Sequence, residues 1–236
     1  MRLELVVVET PEEAAEEAAR RLVPAARAGA AIALSGGSTP RRAYERAAAS
    51  EPEWSAASLW LADERVVPLD DERSNARLVR ETLLDPLASK PTFHLVRTDL
   101  RPADAAVAYD QALDDVRLDL VLLGVGPDGH TASLFPNAPA LEERERRVAA
   151  AEAGFAPFVP RVTMTIPLLS AAQDVLFLVT GSDKADAVRR AFEEAPSPAT
   201  PASLVRSREG TTTAILDAAA AASFSDRMGG ASAEGR

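Results

Sequence analysis

The fold is decided by residues 119–136, DLVLLGVGPDGHTASLFP, in which a short apolar run passes into a glycine-rich turn. Residues 120–125 are almost entirely apolar, which is typical of a strand covered on both faces of a parallel sheet. The turn carries His130, one of two histidines in the chain, and a helix is predicted to begin at Thr131. The histidine therefore follows the carboxyl end of a strand, where open α/β sheets bind their ligands.

The glycines of this turn match the spacing of a dinucleotide-binding loop. Gly124, Gly126 and Gly129 read G-x-G-x-x-G, but that fingerprint also requires an acidic residue about 20 positions further on, after the next strand. Residues 142–147 occupy that region as a charged run, which is predicted to be the solvent face of a helix. A dinucleotide site is therefore disfavoured. His130 lies in a tight polar turn with no packing role, so a functional role is favoured over a structural one.

Apolar runs typical of strands alternate with helical patterns on both sides of this stretch. Further strands are predicted at residues 3–8, 30–34, 59–62, 93–96, 161–166, 174–180, 203–206 and 212–216. Helices are predicted at residues 11–28, 41–49, 74–84, 103–113, 167–172 and 186–194, and from residue 217 onward. The alternation predicts an α/β fold: a single-domain, Rossmann-like, largely parallel sheet flanked by helices over residues 1–224. Residues 225–236 are small, polar and rich in glycine, and are predicted to be a flexible tail.

The composition restricts the classes of function. The 236 residues include no cysteine, so a disulfide framework, a thiolate nucleophile and a thiolate metal site are excluded. A net charge of −10 argues against nucleic acid or an anionic membrane as the main partner. No apolar run approaches the roughly 20 residues that span a bilayer, and no signal peptide is recognisable. We expect a cytoplasmic protein, a monomer or weak homo-oligomer, that acts on a small molecule.

Polar turns follow three further predicted strands. Residues 35–40, SGGSTP, lie between a strand and a helix, where free backbone N–H groups attract an anion; an ordinary capped turn is an equal alternative. Asp63, Glu64 and Arg65 form a charged turn at another strand end, either at the ligand edge or as a salt-bridged turn. Lys184 falls in the first turn of a helix capped by Ser182 or Asp183. A cation is disfavoured there, which indicates an anionic partner.

If the strands are neighbours, these turns form one crevice together with Arg161, which heads another strand. The crevice would contain one imidazole, several carboxylates, several cations and two glycine-rich turns. A metal site is disfavoured because one histidine with scattered carboxylates lacks a ligand spacing, and no metal is expected. A serine hydrolase is disfavoured because no G-x-S-x-G motif is present. A phosphorylated small molecule acted on by a histidine general base fits best.

Five motifs resemble, in order and spacing, those of the 6-phosphogluconolactonases, which are related to the glucosamine-6-phosphate deaminases. They are ALSGGSTP at residues 33–40, WLADERVVP at 60–68 with SN at 74–75, LVLLGVGPDGHTASLFP at 120–136, PRVTMTIP at 160–167, and GSDKADAV at 181–188. The resemblance extends over residues 3–216. It implies a carboxylic ester hydrolase that converts 6-phospho-D-glucono-1,5-lactone to 6-phospho-D-gluconate, the second step of the oxidative pentose phosphate pathway, without a cofactor.

The resemblance also implies roles for the crevice residues. His130 would be the base that activates water, and Asp128 would orient its imidazole, although a structural cap of the turn is an alternative for Asp128. Arg65 would lie near the lactone carbonyl, where it would stabilise the developing oxyanion or tune the histidine. The substrate phosphate would be bound by Gly36, Gly37, Ser38, Thr39, Arg161 and Lys184. Asp63 and Glu64 are expected in the same crevice.

Two alternatives remain open at this point. A deaminase-type isomerase would share the glycine-rich phosphate turn, the Asp-Glu pair and the D-G-H step. Such enzymes, however, have a tyrosine where Arg65 stands and a glutamate where Phe135 stands. A non-catalytic sugar-phosphate-binding protein would keep the phosphate turn and need no base, and the presence of His130 argues against it.

Overall fold

The computed structural model describes residues 2–224 as two β-sheets with helices on either side. The strands are β1 Arg2–Val8, β2 Ala31–Leu34, β3 Ser58–Leu61, β4 Asp63–Arg65, β5 Thr92–Phe93, β6 Leu120–Leu123, β7 Val148–Ala151, β8 Arg161–Met164, β9 Asp174–Val179 and β10 Thr211–Asp217. The helices are α1 Pro11–Arg27, α2 Ser38–Ser50, α3 Asn75–Val79, α4 Pro102–Ala112, α5 Ile166–Ala171 and α6 Ala185–Phe192. The predicted flexible tail, residues 225–236, lies outside the described residues.

The main sheet has seven strands in the order β1-β10-β9-β6-β2-β3-β5, and every neighbouring pair is parallel. This confirms the predicted α/β fold with a largely parallel sheet. Helix α1 illustrates why the local predictions succeeded. Thr10 caps it by accepting a hydrogen bond from the backbone N–H of Glu13, whose carboxylate accepts one from the N–H of Thr10 in return. Pro11 occupies its first position, where no intrahelical donor is lost.

Both faces of the main sheet are buried. In β6, Leu120 and Leu122 pack with α1, α2 and α3, whereas Val121 and Leu123 pack with α4, α5 and α6 on the other face. All four residues are buried, as the unbroken apolar run predicted. Because both helical layers depend on this one sheet, we propose that residues 1–224 form a single domain. None of the helices in the described part of the chain is long and apolar enough to cross a membrane.

A second sheet was not predicted. Strands β4, β8 and β7 form a three-stranded antiparallel sheet, in which β4 is the segment Asp63–Arg65. The prediction of a charged turn at this segment was therefore wrong. Its residues are too few and too polar to give a strand signal, and they pair with a strand that lies far away in the sequence.

Three helix predictions and one strand prediction were also wrong. No helix begins at Thr131, because Ala132 has a positive φ of 48° and residues 131–134 close a turn through the N–H of Leu134 and the carbonyl of Thr131. Residues 143–147 form a loop in which the Glu143 carboxylate accepts two backbone N–H bonds. Residues 218–223 form turns instead of a helix, and the strand predicted at 203–206 is largely a 3-10 turn, Pro201–Leu204.

Candidate active site

The carboxyl ends of four adjacent strands, β9, β6, β2 and β3, surround one pocket of about 240 Å³. The chain continues from β2 towards β3 on one side and from β6 towards β9 on the other, so the pocket lies where the strand order reverses. Of the predicted site residues, those that line the pocket are Gly36, Gly37, Ser38, Thr39, Asp63, Arg65, His130, Arg161 and Lys184. Asp128 contacts one of them, and Glu64 lies outside the pocket.

The SGGSTP turn presents the start of a helix to the pocket. Helix α2 begins at Ser38, and its N-cap, Gly37, has a φ of 113° and supplies no side-chain hydrogen bond. No acidic residue occupies its first turn. The hydroxyl of Thr39 lies 3.0 Å from that of Thr180 at the end of β9, which links the turn to a strand two positions away in the sheet. The arrangement leaves the positive end of the helix dipole facing the pocket, as an anion site requires.

The turn approaches its neighbours too closely for any residue but glycine at position 36. A Cβ atom there would lie 1.9 Å from Oδ1 of Asn75. Asn75 is held in place by its amide group, which donates to the backbone carbonyl of Asp63 at 2.8 Å and to the Asp63 carboxylate at 3.2 Å. Gly36 therefore lets the SGGSTP turn pack directly against the segment that carries Asp63 and Arg65.

Two arginines stand side by side at the opposite wall. Arg65 and Arg161 are directly paired across the antiparallel strands β4 and β8, so their side chains share one face. Arg65 donates to the carbonyl of Arg73 at 2.6 Å, and its Nε is buried without a partner. Within residues 2–224 neither guanidinium has a carboxylate within ion-pair distance. Like charges placed opposite each other repel, so this pair favours an anion between or beside them.

The guanidinium of Arg161 is held by a loop. The side chain is only 3% exposed, and its N–H groups donate to the carbonyls of Val159, Phe155 and Pro157 at 3.1, 3.3 and 2.8 Å. Burial lowers the pKa of Arg161, the carboxylate of Asp63 opposes this effect, and the charge of Arg65 reinforces it. None of these bonds involves Nη1, so that nitrogen is the part of the fork available to a ligand.

Lys184 reaches the pocket from the end of β9. It closes a 3-10 turn, Ser182–Lys184, that precedes α6, and its ammonium lies 2.9 Å from the Asp183 carboxylate. The predicted cap was wrong, because Lys184 itself occupies the N-cap of α6 and no side chain of Ser182 or Asp183 caps it. Lys184 nevertheless places its charge beside the SGGSTP turn, as predicted.

The imidazole of His130 is bound to the carboxylate of Asp128. Nδ1 lies 2.5 Å from Oδ1 of Asp128, and the same oxygen accepts the backbone N–H of His130 at 3.1 Å. Burial on its own raises the pKa of Asp128, but the hydrogen bond and the charge of His130 outweigh it and lower the pKa below the ordinary value. Asp128 is therefore an ionised acceptor near neutral pH.

Aromatic rings confine the imidazole on its other sides. The ring of His130 lies 4.9 Å from that of Phe135 and 5.6 Å from that of Phe155, measured between centroids. Behind the imidazole, a Cβ atom on Gly126 would lie 2.1 Å from Nδ1 of His130 and 2.7 Å from Oδ1 of Asp128. The glycine of the turn thus makes space for the imidazole and carboxylate pair, and the two phenylalanines fix the ring plane.

The two acidic residues of β4 have different surroundings. Asp63 lines the pocket and accepts the hydroxyl of Ser133 at 2.6 Å, which ties β4 to the turn after His130. Glu64 is fully buried and accepts the backbone N–H groups of Arg65, Asn75 and Ala76, so it anchors the start of α3. Burial raises the pKa of Glu64, and these hydrogen bonds oppose the rise. The predicted place of Glu64 in the crevice was wrong.

Sequence reasoning missed several residues of the pocket. Thr180 directly precedes the GSDK motif, so its position at the end of a strand was a usable signal. Phe155 lies in the loop between β7 and β8, where no motif or periodicity marks it. Among residues 2–224 no group of three or more histidine, cysteine, aspartate and glutamate side chains is arranged to hold a metal ion.

Comparison with known proteins gives the chain a family. The model of the glucosamine-6-phosphate isomerases/6-phosphogluconolactonase family matches residues 7–214. A 6-phosphogluconolactonase of Rattus norvegicus is 42% identical over 204 residues, covering 81% of this chain and 79% of the relative. A 6-phosphogluconolactonase of Streptomyces coelicolor is 35% identical over 244 residues, covering 92% and 93%.

Solved structures give the same result. A 6-phosphogluconolactonase from Trypanosoma cruzi superposes with a TM-score of 0.84 at 27% identity, covering 95% of this chain and 97% of that one. A monomeric glucosamine-6-phosphate deaminase, 20% identical, superposes with a TM-score of 0.77 and covers 94% and 100%, which shows a shared fold. The matches span nearly the whole described chain and include every strand that borders the pocket. The chain therefore belongs to the glucosamine-6-phosphate isomerase/6-phosphogluconolactonase family.

Proposed function

We propose that this protein hydrolyses 6-phospho-D-glucono-1,5-lactone to 6-phospho-D-gluconate, with His130 as the general base. The proposal rests on the observation that three groups line a single pocket. These are a carboxylate-bound imidazole, an uncapped helix start and a pair of adjacent arginines. The relatives named as 6-phosphogluconolactonases support the substrate.

The bond between Asp128 and His130 determines which nitrogen acts as the base. An ionised carboxylate only accepts hydrogen bonds, so Nδ1 of His130 must carry a hydrogen and donate a hydrogen bond to Asp128. In the neutral imidazole the lone pair is then on Nε2. Nε2 is consequently the atom that would accept a proton from water.

The phosphate of the substrate would be bound at the other end of the pocket. The backbone N–H groups of Ser38 and Thr39 lie at the start of α2, and Lys184 and Nη1 of Arg161 supply positive charge. Binding the phosphate there would fix the distance from the sugar ring to His130. Such positioning converts attack by water into an effectively intramolecular step.

The reaction then proceeds in two steps. Nε2 of His130 takes a proton from water while the water oxygen forms a bond to the lactone carbonyl carbon, and the carbonyl oxygen becomes an oxyanion. Arg65 would stabilise that charge. The tetrahedral intermediate then collapses, the bond between this carbon and the ring oxygen breaks, and the protonated imidazole returns its proton to the ring oxygen. The products are a carboxylic acid, which ionises, and a free hydroxyl.

These groups are sufficient for a hydrolysis of this kind. A positioned general base contributes about 10²–10⁴-fold, and removal of one oxyanion donor costs about 10²–10³-fold. A lactone is an activated ester, so no covalent intermediate is required.

The deaminase-type alternative lacks a group that it needs. Phe135, which stands where the deaminases have a glutamate, is 3% exposed and packs against His130. An apolar ring at this position removes a partner for proton transfer between carbon atoms and keeps the base beside an uncharged surface.

The test is acid release from freshly generated lactone, corrected for spontaneous opening. We expect rapid turnover by the wild type and a loss of about 10²–10⁴-fold in kcat for His130→Ala. The matched control is His94→Gln, which alters the other histidine of the chain. His94 stacks on Trp60 at 3.7 Å and does not line the pocket, so turnover should be retained.

Wild-type turnover at the background rate would reject the lactonase proposal, and ammonia release from glucosamine 6-phosphate would then test the alternative. Equal turnover above background by the wild type and His130→Ala would support the proposed substrate but reject His130 as the base.

A further inference from the structure

The ammonium of Lys184 already has an anion beside it. Lys184 lines the pocket and its side chain is 23% exposed, whereas the side chain of its partner, Asp183, is 68% exposed. The two are adjacent in the sequence, and Nζ lies 2.9 Å from Oδ2 of Asp183. The cation proposed to bind phosphate therefore carries a resident counter-ion in the absence of substrate.

Hydrogen bonds that do not involve the Asp183 carboxylate hold the loop in shape. Gly181 has a φ of 100°, and its N–H donates to both carboxylate oxygens of Asp217 at 3.0 and 3.1 Å. The N–H of Lys184 donates to the carbonyl of Gly181 at 3.1 Å. A Cβ atom on Gly181 would lie 2.8 Å from Oδ1 of Asp183, so the carboxylate folds back over the glycine. Its removal should leave the loop intact.

We propose that Asp183 is a built-in competitor for the substrate phosphate: it occupies the ammonium of Lys184 until a phosphate displaces it. This inference rests on the proposed function, in which Lys184 binds the phosphate. A phosphate monoester carries about −1.5 to −2 charges near neutral pH. The phosphate and the carboxylate repel each other, and the bond between Asp183 and Lys184 must be exchanged for one between the phosphate and Lys184.

Such competition has a use in this reaction. The phosphate is present in the substrate, the transition state and the product, so once it has positioned the lactone, still tighter binding stabilises all three equally and gives no further acceleration of the chemical step. The product also gains a carboxylate and becomes a stronger anion. A resident carboxylate beside Lys184 weakens phosphate binding, and the ion pair between Asp183 and Lys184 forms again when the product leaves.

The test is calorimetric titration of inorganic phosphate into the wild type and into Asp183→Asn, which keeps the shape of the side chain and removes its charge. We expect the dissociation constant for phosphate to be about two- to tenfold lower in Asp183→Asn than in the wild type. This range corresponds to the energy of an exposed ion pair and of the repulsion between the carboxylate and the phosphate. The matched control is Asp186→Asn. Asp186 is also 68% exposed and lies near the start of α6, but it pairs with Arg189 and Arg190. This variant makes the same change in net charge and should alter phosphate binding less than about twofold.

An unchanged or weaker affinity in Asp183→Asn would overturn the inference, because it would mean that Asp183 positions Lys184 instead of competing for it. The effect should also vanish when Lys184 is replaced by methionine in both proteins, and an effect that persisted there would overturn it equally. The titration uses no lactone. Tighter phosphate binding in Asp183→Asn would therefore support the inference even if wild-type turnover stayed at the background rate, an outcome that would reject the proposed reaction separately.

Discussion

Gly126→Ala should disable the site without unfolding the protein. In the structure a Cβ atom at this position would lie 2.1 Å from Nδ1 and 2.2 Å from Cε1 of His130. Such contacts in folded proteins stay above 3.0 Å, so the imidazole has to move by about 0.9 Å. The Asp128 carboxylate is also obstructed, because its Oδ1 would lie 2.7 Å from the new methyl group. The ring therefore cannot simply move together with its partner.

The magnitude follows from the displacement. A misplacement of about 1 Å in a catalytic group costs about 10²-fold in rate. The rings of Phe135 and Phe155 limit where the imidazole can go, so we expect kcat to fall about 10²-fold. KM should change little, because the substitution leaves the residues proposed to bind the phosphate in place. No positive φ is recorded for Gly126, so alanine adds no backbone strain there.

The assay combines lactone turnover with proton NMR of the imidazole. The chain has two histidines, so the spectrum is simple, and His94→Gln assigns it. Gly126→Ala should shift the His130 signals strongly. The control is Gly124→Ala in the same turn, where a Cβ atom would meet nothing within 4 Å, and the His130 signals should stay in place. Wild-type turnover and unshifted His130 signals in Gly126→Ala would refute the reasoning.

Two further predictions concern carboxylates. Asp128 has a pKa held below its ordinary value of 3.8, so it stabilises the folded state above that pH and the contribution is lost on acidification. The difference in free energy of unfolding between wild type and Asp128→Asn should therefore shrink from pH 7 to about pH 3 in urea titrations; a constant difference would contradict this. Glu64→Gln should lower the free energy of unfolding by about 1–3 kcal/mol, because the NH₂ group of the glutamine would replace one of the two oxygens that accept the N–H groups of Asn75 and Ala76. Lost turnover at unchanged stability would instead indicate a direct chemical role.

The sequence predicted the parts of the fold that short-range patterns determine. Strands such as β6 and β9 are nearly unbroken apolar runs, and α1 carries a complete capping signal, so their bounds agree with the structure within a few residues. The glycine-rich turns follow these strands directly. Once the strands were taken as neighbours in a parallel sheet, His130, Lys184 and the SGGSTP turn were predicted to converge, and the structure confirms that they do.

The small antiparallel sheet could not be predicted by the same reasoning. Strand β4 consists of three polar residues, and its register with β8 is set by packing between segments distant in the sequence. The turn after His130 was not predicted for a related reason. Ala132 adopts a left-handed conformation that alanine disfavours, and the tertiary contacts of Thr131 and Ser133 hold it there. Local propensity therefore predicted a helix where tertiary contacts impose a turn.

These two unpredicted features are also where the molecule places its chemistry. In a chain of net charge −10, the proposed binding of a phosphorylated substrate needs local cations, and the main sheet offers few positions for them because its strands are buried on both faces. The antiparallel pairing of β4 with β8 supplies Arg65 and Arg161 side by side at the pocket wall, at the expense of mutual repulsion. The hydrogen bond from Ser133 to Asp63 then ties that wall to the turn carrying His130. The mutual repulsion of Arg65 and Arg161 favours an anion beside them, and under the proposed function this anion would be the substrate, held within reach of His130.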